Sequence, residues 1–324
     1  MNSRLQALID RGYSKEEVIR LSSFTEEDLN YAVMSAFKHL VQGCEKVFQP
    51  KTIYIGGQPG SGKTVLSMEL KNTYKNYVEI GIDNYRMYHP NYLEIEKCIK
   101  KYWNGKHESV NSSPGNDIAD FTHFFAGAVT DRLIELCSKV DENGYAFNIL
   151  MEWGMREPLG PLKTMTYLKE KGYDNIVLFL ATPGHLSYEA CNLRADVMKD
   201  SKRIIRKVPK CFHDLCVSTL PKSVDTIYES GFDMNIIDYM ALVSRDGKIL
   251  WDNNAKEKPS IVYEEMLSSR KINSYNDELK AMVGNSREMI GLELSKERLN
   301  MVKDIVLLFD QRHMLLDNVK SRGA

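Results

Sequence analysis

Eight residues, Gly57-Gln58-Pro59-Gly60-Ser61-Gly62-Lys63-Thr64, restrict what this chain can fold into more than any other stretch. They fill every fixed position of the pattern G-x-x-x-x-G-K-[ST]. The flanks supply the context that the pattern requires. Thr52-Ile53-Tyr54-Ile55 is a short apolar, β-rich run that predicts a strand, and Val65 to Tyr74 carries good helix formers with apolar Val65, Leu66, Met68 and Leu70. In a strand–turn–helix unit of this kind the glycines let successive N–H groups point into one concavity, and the helix start adds partial positive charge. The pattern implies a cradle for a nucleoside triphosphate, with Lys63 reaching the β- and γ-phosphates and the Thr64 hydroxyl holding Mg²⁺.

A chain of 324 residues accommodates one large α/β domain with appendages, or two small domains. With 43 basic and 44 acidic residues the net charge is −1, which gives no reason to expect nucleic acid as a partner. Six cysteines (Cys44, Cys98, Cys137, Cys191, Cys211 and Cys216) lack the spacing of a disulfide framework and read as reduced. The stretch Cys211–Cys216 with His213 and Asp214 lacks a second ligand pair, so no metal centre is expected there. The start of the chain has no apolar signal core, and no run of about 18 apolar residues occurs. The expectation is a cytoplasmic protein that does not enter a membrane.

Strand and helix patterns alternate from residue 25 to about 255, which predicts a parallel sheet flanked by helices. Thr25 is a candidate N-cap with Asp28 at the third helical position, the arrangement of a capping box. Further strands are expected over 77–82, 147–151 and 176–181, all near-continuous apolar runs suited to burial on both faces. Helices are expected near 121–137, 159–171 and 186–197. Residues 241–251 read as a hairpin turning on Asp246-Gly247. The polar insert at 104–117 reads as a mobile loop, residues 1–23 as a helical extension, and 259–324 as a helical C-terminal region whose amphipathic face forms a cap or dimer surface. Residues 24–258 form the main domain in this division.

A second set of residues falls beyond the carboxyl ends of the predicted strands, where open parallel sheets bind their ligands. Asp83 ends the second strand and could accept a hydroxyl proton or help hold Mg²⁺; alternatively it caps the Tyr85–Tyr88 segment. Glu152 and Arg156 close and follow the third strand, facing the ligand or pairing with each other. Arg194 and Arg206 lie beyond the fourth strand, in a region with Lys199, Lys202, Arg203 and Lys207. They form either a solvated basic face or a pair of planar donors over the γ-phosphate.

Asp83-Asn84-Tyr85-Arg86-Met87-Tyr88-His89-Pro90 resembles the D-x-[FY]-[KR]-x-x-H-P segment that follows the phosphate loop in zeta toxins of bacterial toxin–antitoxin systems. The loop GQPGSGKT is that family's version, and the similarity runs from about Phe24 to Asp252, through Phe147–Glu152, Ala181-Thr182-Pro183 and Arg206–Lys210. The resemblance implies a P-loop kinase-like fold and transfer of the γ-phosphoryl group of ATP or GTP to the 3′-hydroxyl of the amino sugar in UDP-N-acetylglucosamine. It further implies Asp83 as catalytic base, Lys63 and Thr64 as phosphate and Mg²⁺ ligands, Arg194 and Arg206 as γ-phosphate arginines, Glu152 and Arg156 as sugar-nucleotide contacts, and a small helical antitoxin as partner. Where the family has a threonine two residues past the strand-end glutamate, this chain has Gly154, and the family's acidic sugar contact falls among Thr130, Asp131 and Glu135.

Overall fold

The computed structural model describes residues 3–104, 113–200, 207–245 and 248–269, apart from the side chains of 193 and 196–200. Two short helices, α1 (Ser3–Asp10) and α2 (Lys15–Ser22), precede α3 (Glu26–Leu40), β1 (Lys46–Phe48), β2 (Lys51–Gly56) and α4 (Lys63–Thr73). Next come β3 (Val78–Ile80), a 3₁₀ turn (Ile82–Tyr88), α5 (Tyr92–Trp103), α6 (Pro114–Phe121) and α7 (His123–Cys137). The remainder is β4 (Tyr145–Phe147), β5 (Ile149–Glu152), α8 (Leu159–Glu170), β6 (Asp174–Ala181), α9 (Gly184–Asp200), α10 (Lys210–Asp233), β7 (Tyr239–Ser244), β8 (Ile249–Asp252) and α11 (Pro259–Ser268).

The main sheet runs β3-β5-β2-β6-β7-β8, parallel except for β8, and β1 pairs separately with β4. This is the expected α/β class, a largely parallel sheet flanked by helices. Alternation along the central strands divides the core. Ile176, Leu178 and Leu180 join Leu66 and Leu70 of α4 on one face, while Val177, Phe179 and Ala181 join the larger cluster that α3, α7, α8, α10 and α11 cover on the other. The capping box forms as expected, with Asp28 N–H donating to Thr25 Oγ1 at 3.1 Å and Thr25 N–H to Asp28 Oδ2 at 2.8 Å.

Three sequence expectations need correction. The run 147–151 is not one strand: Asn148 separates β4 from β5, because its side chain accepts from Lys51 N–H (2.8 Å) and donates to the Asn76 carbonyl (3.3 Å). The strand expected over 77–82 shortens to β3, since the chain turns into the 3₁₀ segment at Ile82. Part of the polar insert, from Pro114 onward, is α6 rather than loop; its Asp117 is fully buried and accepts from Tyr13 Oη (2.7 Å) and Trp103 Nε1 (2.8 Å). Residues 105–112, the Asp246-Gly247 turn and 270–324 lie outside the described residues, but the two strands of the expected hairpin, β7 and β8, do pair antiparallel.

Asp117 explains how the N-terminal extension is attached. Leu8, Tyr13, Val18 and Leu21 of this extension pack with Ile95, Ile99, Ile118 and Phe121 in a core of their own. Each such buried aliphatic side chain contributes about 1.5–3 kcal/mol. Arg11 reaches Asp117 at 3.3 Å and Asp120 at 2.5 Å, and Arg4 reaches Asp120 at 3.0 Å, so α1 is keyed to α6 by charge as well as by burial.

Candidate active site

The glycine-rich turn leaves β2 at the carboxyl edge of the sheet and enters α4. Gly57, Gly60 and Gly62 have φ of 140°, 76° and 105°, backbone that side chains rarely adopt. At Gly60 space is decisive too: a Cβ there would lie 1.9 Å from the Ser187 carbonyl oxygen of α9. Lys63 Nζ donates to the Gly57 and Gln58 carbonyls at 2.9 and 3.0 Å, so the ammonium lies across the loop. Burial lowers its pKa; Glu152 acts against that shift and Arg194 with it. Arg245, beyond β7, donates to the Gly60 carbonyl at 3.2 Å, a cation at the loop that no local pattern announces.

β5 lies between β2 and β3, with Glu152 in register with Ile55, the last residue but one of β2. Neighbouring strands are about 4.8 Å apart, so the end of β5 adjoins the loop and the end of β3 is about two strand spacings away. Thr64 Oγ1 donates to Glu152 Oε1 at 3.1 Å, joining the loop directly to β5. After Glu152 the backbone turns through Met155, whose φ is 50°, and Met155 fills the space that a Cβ on Gly56 would need. That turn brings out Arg156, which pairs with Glu157 at 3.2 Å and stands 5.8 Å from the centre of the Phe212 ring. Glu152 and Arg156 thus have separate partners.

Asp83 sits in the first turn of the 3₁₀ segment that follows β3, at the same edge. It does not cap the segment; Gly81 holds that position. Its side chain is 58% exposed, and Arg86 Nε donates to Oδ1 at 2.7 Å. Arg86 is itself fixed by the Ala119 carbonyl (2.8 Å) and Thr122 Oγ1 (3.2 Å). His123, at the start of α7, has its pKa lowered to about 4, by burial first and then by Arg4 and Arg86, so its ring is neutral at pH 7. Arg86 fills the [KR] position of the segment that begins at Asp83, whereas His123 beside it carries no sequence signal of its own.

Of the expected γ-phosphate arginines, Arg194 is exposed on α9 and its charge acts on Lys63, whereas Arg206 lies outside the described residues. On α7, Thr130 donates to the Ala126 carbonyl (2.8 Å), and Asp131 and Glu135 are exposed one turn apart. Beneath the loop runs a polar network that sequence reading missed: Gln58, Ser187 and His213 are all buried, with Ser187 Oγ 2.8 Å from His213 Nε2. Ser187 donates to the Gly184 carbonyl at 3.0 Å, so its oxygen accepts from His213 Nε2–H. A serine beside a histidine here is a brace, sealed from any substrate.

The family described as Zeta toxin matches residues 37–256, more than half of the chain. A protein named Toxin zeta from Enterococcus hirae is 31% identical over 232 residues, covering 71% of this chain and 72% of that one. Another from Streptococcus pyogenes is 29% identical over 247 residues, covering 76% and 77%. Among solved structures, a chain of the PezAT chromosomal toxin–antitoxin system of Streptococcus pneumoniae shares the fold with a TM-score of 0.65 and 22% identity, covering 88% of this chain and 99% of that one. Set beside an intact phosphate loop on a matching sheet, these likenesses settle the family: the chain is a member of the zeta toxins.

Proposed function

We propose that this protein transfers the γ-phosphoryl group of ATP or GTP to the 3′-hydroxyl of UDP-N-acetylglucosamine, as the toxin of a toxin–antitoxin pair in the cytoplasm. The observation that carries the reading is the shared sheet edge. The phosphate loop follows β2, Glu152 ends β5 and Asp83 follows β3, in that spatial order, so an acceptor seated over β5 would have donor on one side and carboxylate on the other. Lys63 and Arg194 would bear charge on the transferring group, joined by Arg206 as the family resemblance implies. Asp83 orients the acceptor hydroxyl and takes its proton, while Glu152 and Arg156 hold the sugar nucleotide. The Thr64 hydroxyl gives its hydrogen to Glu152, which leaves its oxygen as an acceptor suited to Mg²⁺. When bound, Mg²⁺ would neutralise charge on the triphosphate oxygens. Transfer is then mainly positioning and electrostatics.

The named relatives and the PezAT likeness support an antitoxin partner; the family resemblance implies that it is a small helical protein covering the nucleotide site. Gly154 favours a second acceptor reading, a different small hydroxyl compound, because one expected sugar contact is missing there. Mass spectrometry of UDP-N-acetylglucosamine and a panel of other hydroxyl acceptors, after incubation with protein, Mg²⁺ and ATP, separates the two. A phosphorylated sugar nucleotide supports the first reading; ADP formation with no change in it refutes that reading. Asp83→Ala should lower kcat by about 10² or more with nucleotide affinity retained.

A further inference from the structure

Gln58 occupies a position that the phosphate-loop pattern leaves open, yet it is fully buried. Its Nε2 donates to the Thr182 carbonyl and to Ser187 Oγ (3.3 Å), which fixes the amide orientation and turns Oε1 the other way. Oε1 accepts from the Tyr263 hydroxyl at 3.1 Å, which is also 3.1 Å from the Leu180 carbonyl. Tyr263 is fully buried on α11, seven residues past the last family-matched residue, 256. Its ring meets Phe179 edge-on, with centroids 6.2 Å apart, and Phe179 presses where a Cβ on Gly56 would stand. Tyr263 therefore bears on the loop directly, by its hydrogen bond to Gln58, and indirectly through Phe179, whose ring packs against Gly56 at the end of β2.

The helix that carries Tyr263 is fastened independently of the loop. Ser260 N–H donates to Asp225 Oδ1 (3.0 Å), Lys258 pairs with Glu229 (2.8 Å), and Trp251 Nε1 donates to the Glu257 carbonyl (2.8 Å). Tyr263 is thus presented from a fixed support. We propose that Tyr263 is a positioning residue of the nucleotide site, holding the phosphate cradle in its binding shape through Gln58, so that the working kinase domain extends through α11. The inference rests on the phosphate-loop reading of Gly57–Thr64. Without the hydroxyl, Gln58 Oε1 loses its donor in a dry setting, and the loop relaxes to satisfy it. Nucleotide binding must then restore the cradle.

The test uses the full chain and titration calorimetry with non-hydrolysable ATP and GTP analogues in Mg²⁺. Tyr263→Phe keeps the ring and should weaken affinity for whichever analogue the wild type binds by about tenfold. Gln58→Met should weaken it similarly, and adding Tyr263→Phe to Gln58→Met should change affinity less than about twofold, because the coupling partner is already gone. A tyrosine that merely supported the fold would impose its full loss in both backgrounds, and that result overturns the proposal. So does unchanged affinity in folded Tyr263→Phe. If that variant does not fold, Gln58→Met decides alone, and undiminished affinity there is equally fatal. Lys63→Ala is the control: persistence of wild-type binding in it would refute the phosphate-loop reading itself, independently of Tyr263.

Discussion

Acidification from pH 7.5 to 5.0 should cost the fold about 2 kcal/mol at His89 alone. This residue closes the 3₁₀ segment that carries Asp83 and is 3% exposed, between the rings of Phe24 and Phe125. Its Nδ1 accepts the Asn91 N–H at 3.1 Å, a bond that only the form bare at Nδ1 can make. Burial foremost lowers its pKa from 6.5 to about 4, against smaller opposing pulls from the Ser22 backbone and Asp28. Below pH 6.5 the unfolded chain therefore binds a proton that the folded one refuses, and stability falls with pH until the folded pKa is passed. At pH 5.0 the ratio of binding polynomials is about 30, which at 1.36 kcal/mol per decade gives the quoted figure. Urea unfolding of the wild type and His89→Asn at both pH values isolates it, since every other titrating group is common to both proteins. The stability gap between them should shrink by about 2 kcal/mol on acidification. A gap independent of pH would refute the argument.

Two further substitutions probe the two sides of the site. Gly60→Ala should abolish nucleotide binding measurable by calorimetry: the φ of 76° alone costs about 1 kcal/mol, and the 1.9 Å approach to the Ser187 carbonyl forces the loop or α9 to move. Retained affinity would mean that the loop conformation does not set the cradle. Gly154→Thr restores the hydroxyl that the family places there, and a Cβ at this position meets nothing within 4 Å. It should leave Tm unchanged and lower the KM for UDP-N-acetylglucosamine severalfold, while an unchanged KM would count against that acceptor.

The donor side was legible because its determinants are consecutive. Glycines, lysine and threonine at fixed spacing dictate a turn whatever surrounds it, and Thr25 with Asp28 did the same for the start of α3. What sequence reading missed depends on partners distant along the chain. Asn148 sits in an apolar run, and only Lys51 and Asn76 turn it into a break. Asp117 looks like a loop residue until Tyr13, 104 residues away, lends it a hydrogen bond. Tyr263 bonds a loop 205 residues before it, and no periodicity in α11 could announce that contact.

Those distant contacts share a logic. The carboxylate proposed to take the acceptor proton has its rotation set by Arg86, because Nε holds Oδ1. Arg86 is held in turn by the Ala119 carbonyl and Thr122, and Ala119 lies on α6 between Asp117 and Asp120, the two residues that receive Arg4, Arg11 and Tyr13 from the N-terminal helices. At the phosphate loop, Tyr263 of α11 holds Gln58. Both α1–α2 and α11 fall outside residues 37–256, where the family match ends, and each braces a group proposed to serve a different reactant. Phosphoryl transfer asks little covalent chemistry of the protein and depends on placing two groups in line. Segments attached to the ends of the family-matched region can therefore tune the reaction without touching either substrate, as long as one fixes the donor cradle and the other the carboxylate proposed to take the acceptor proton.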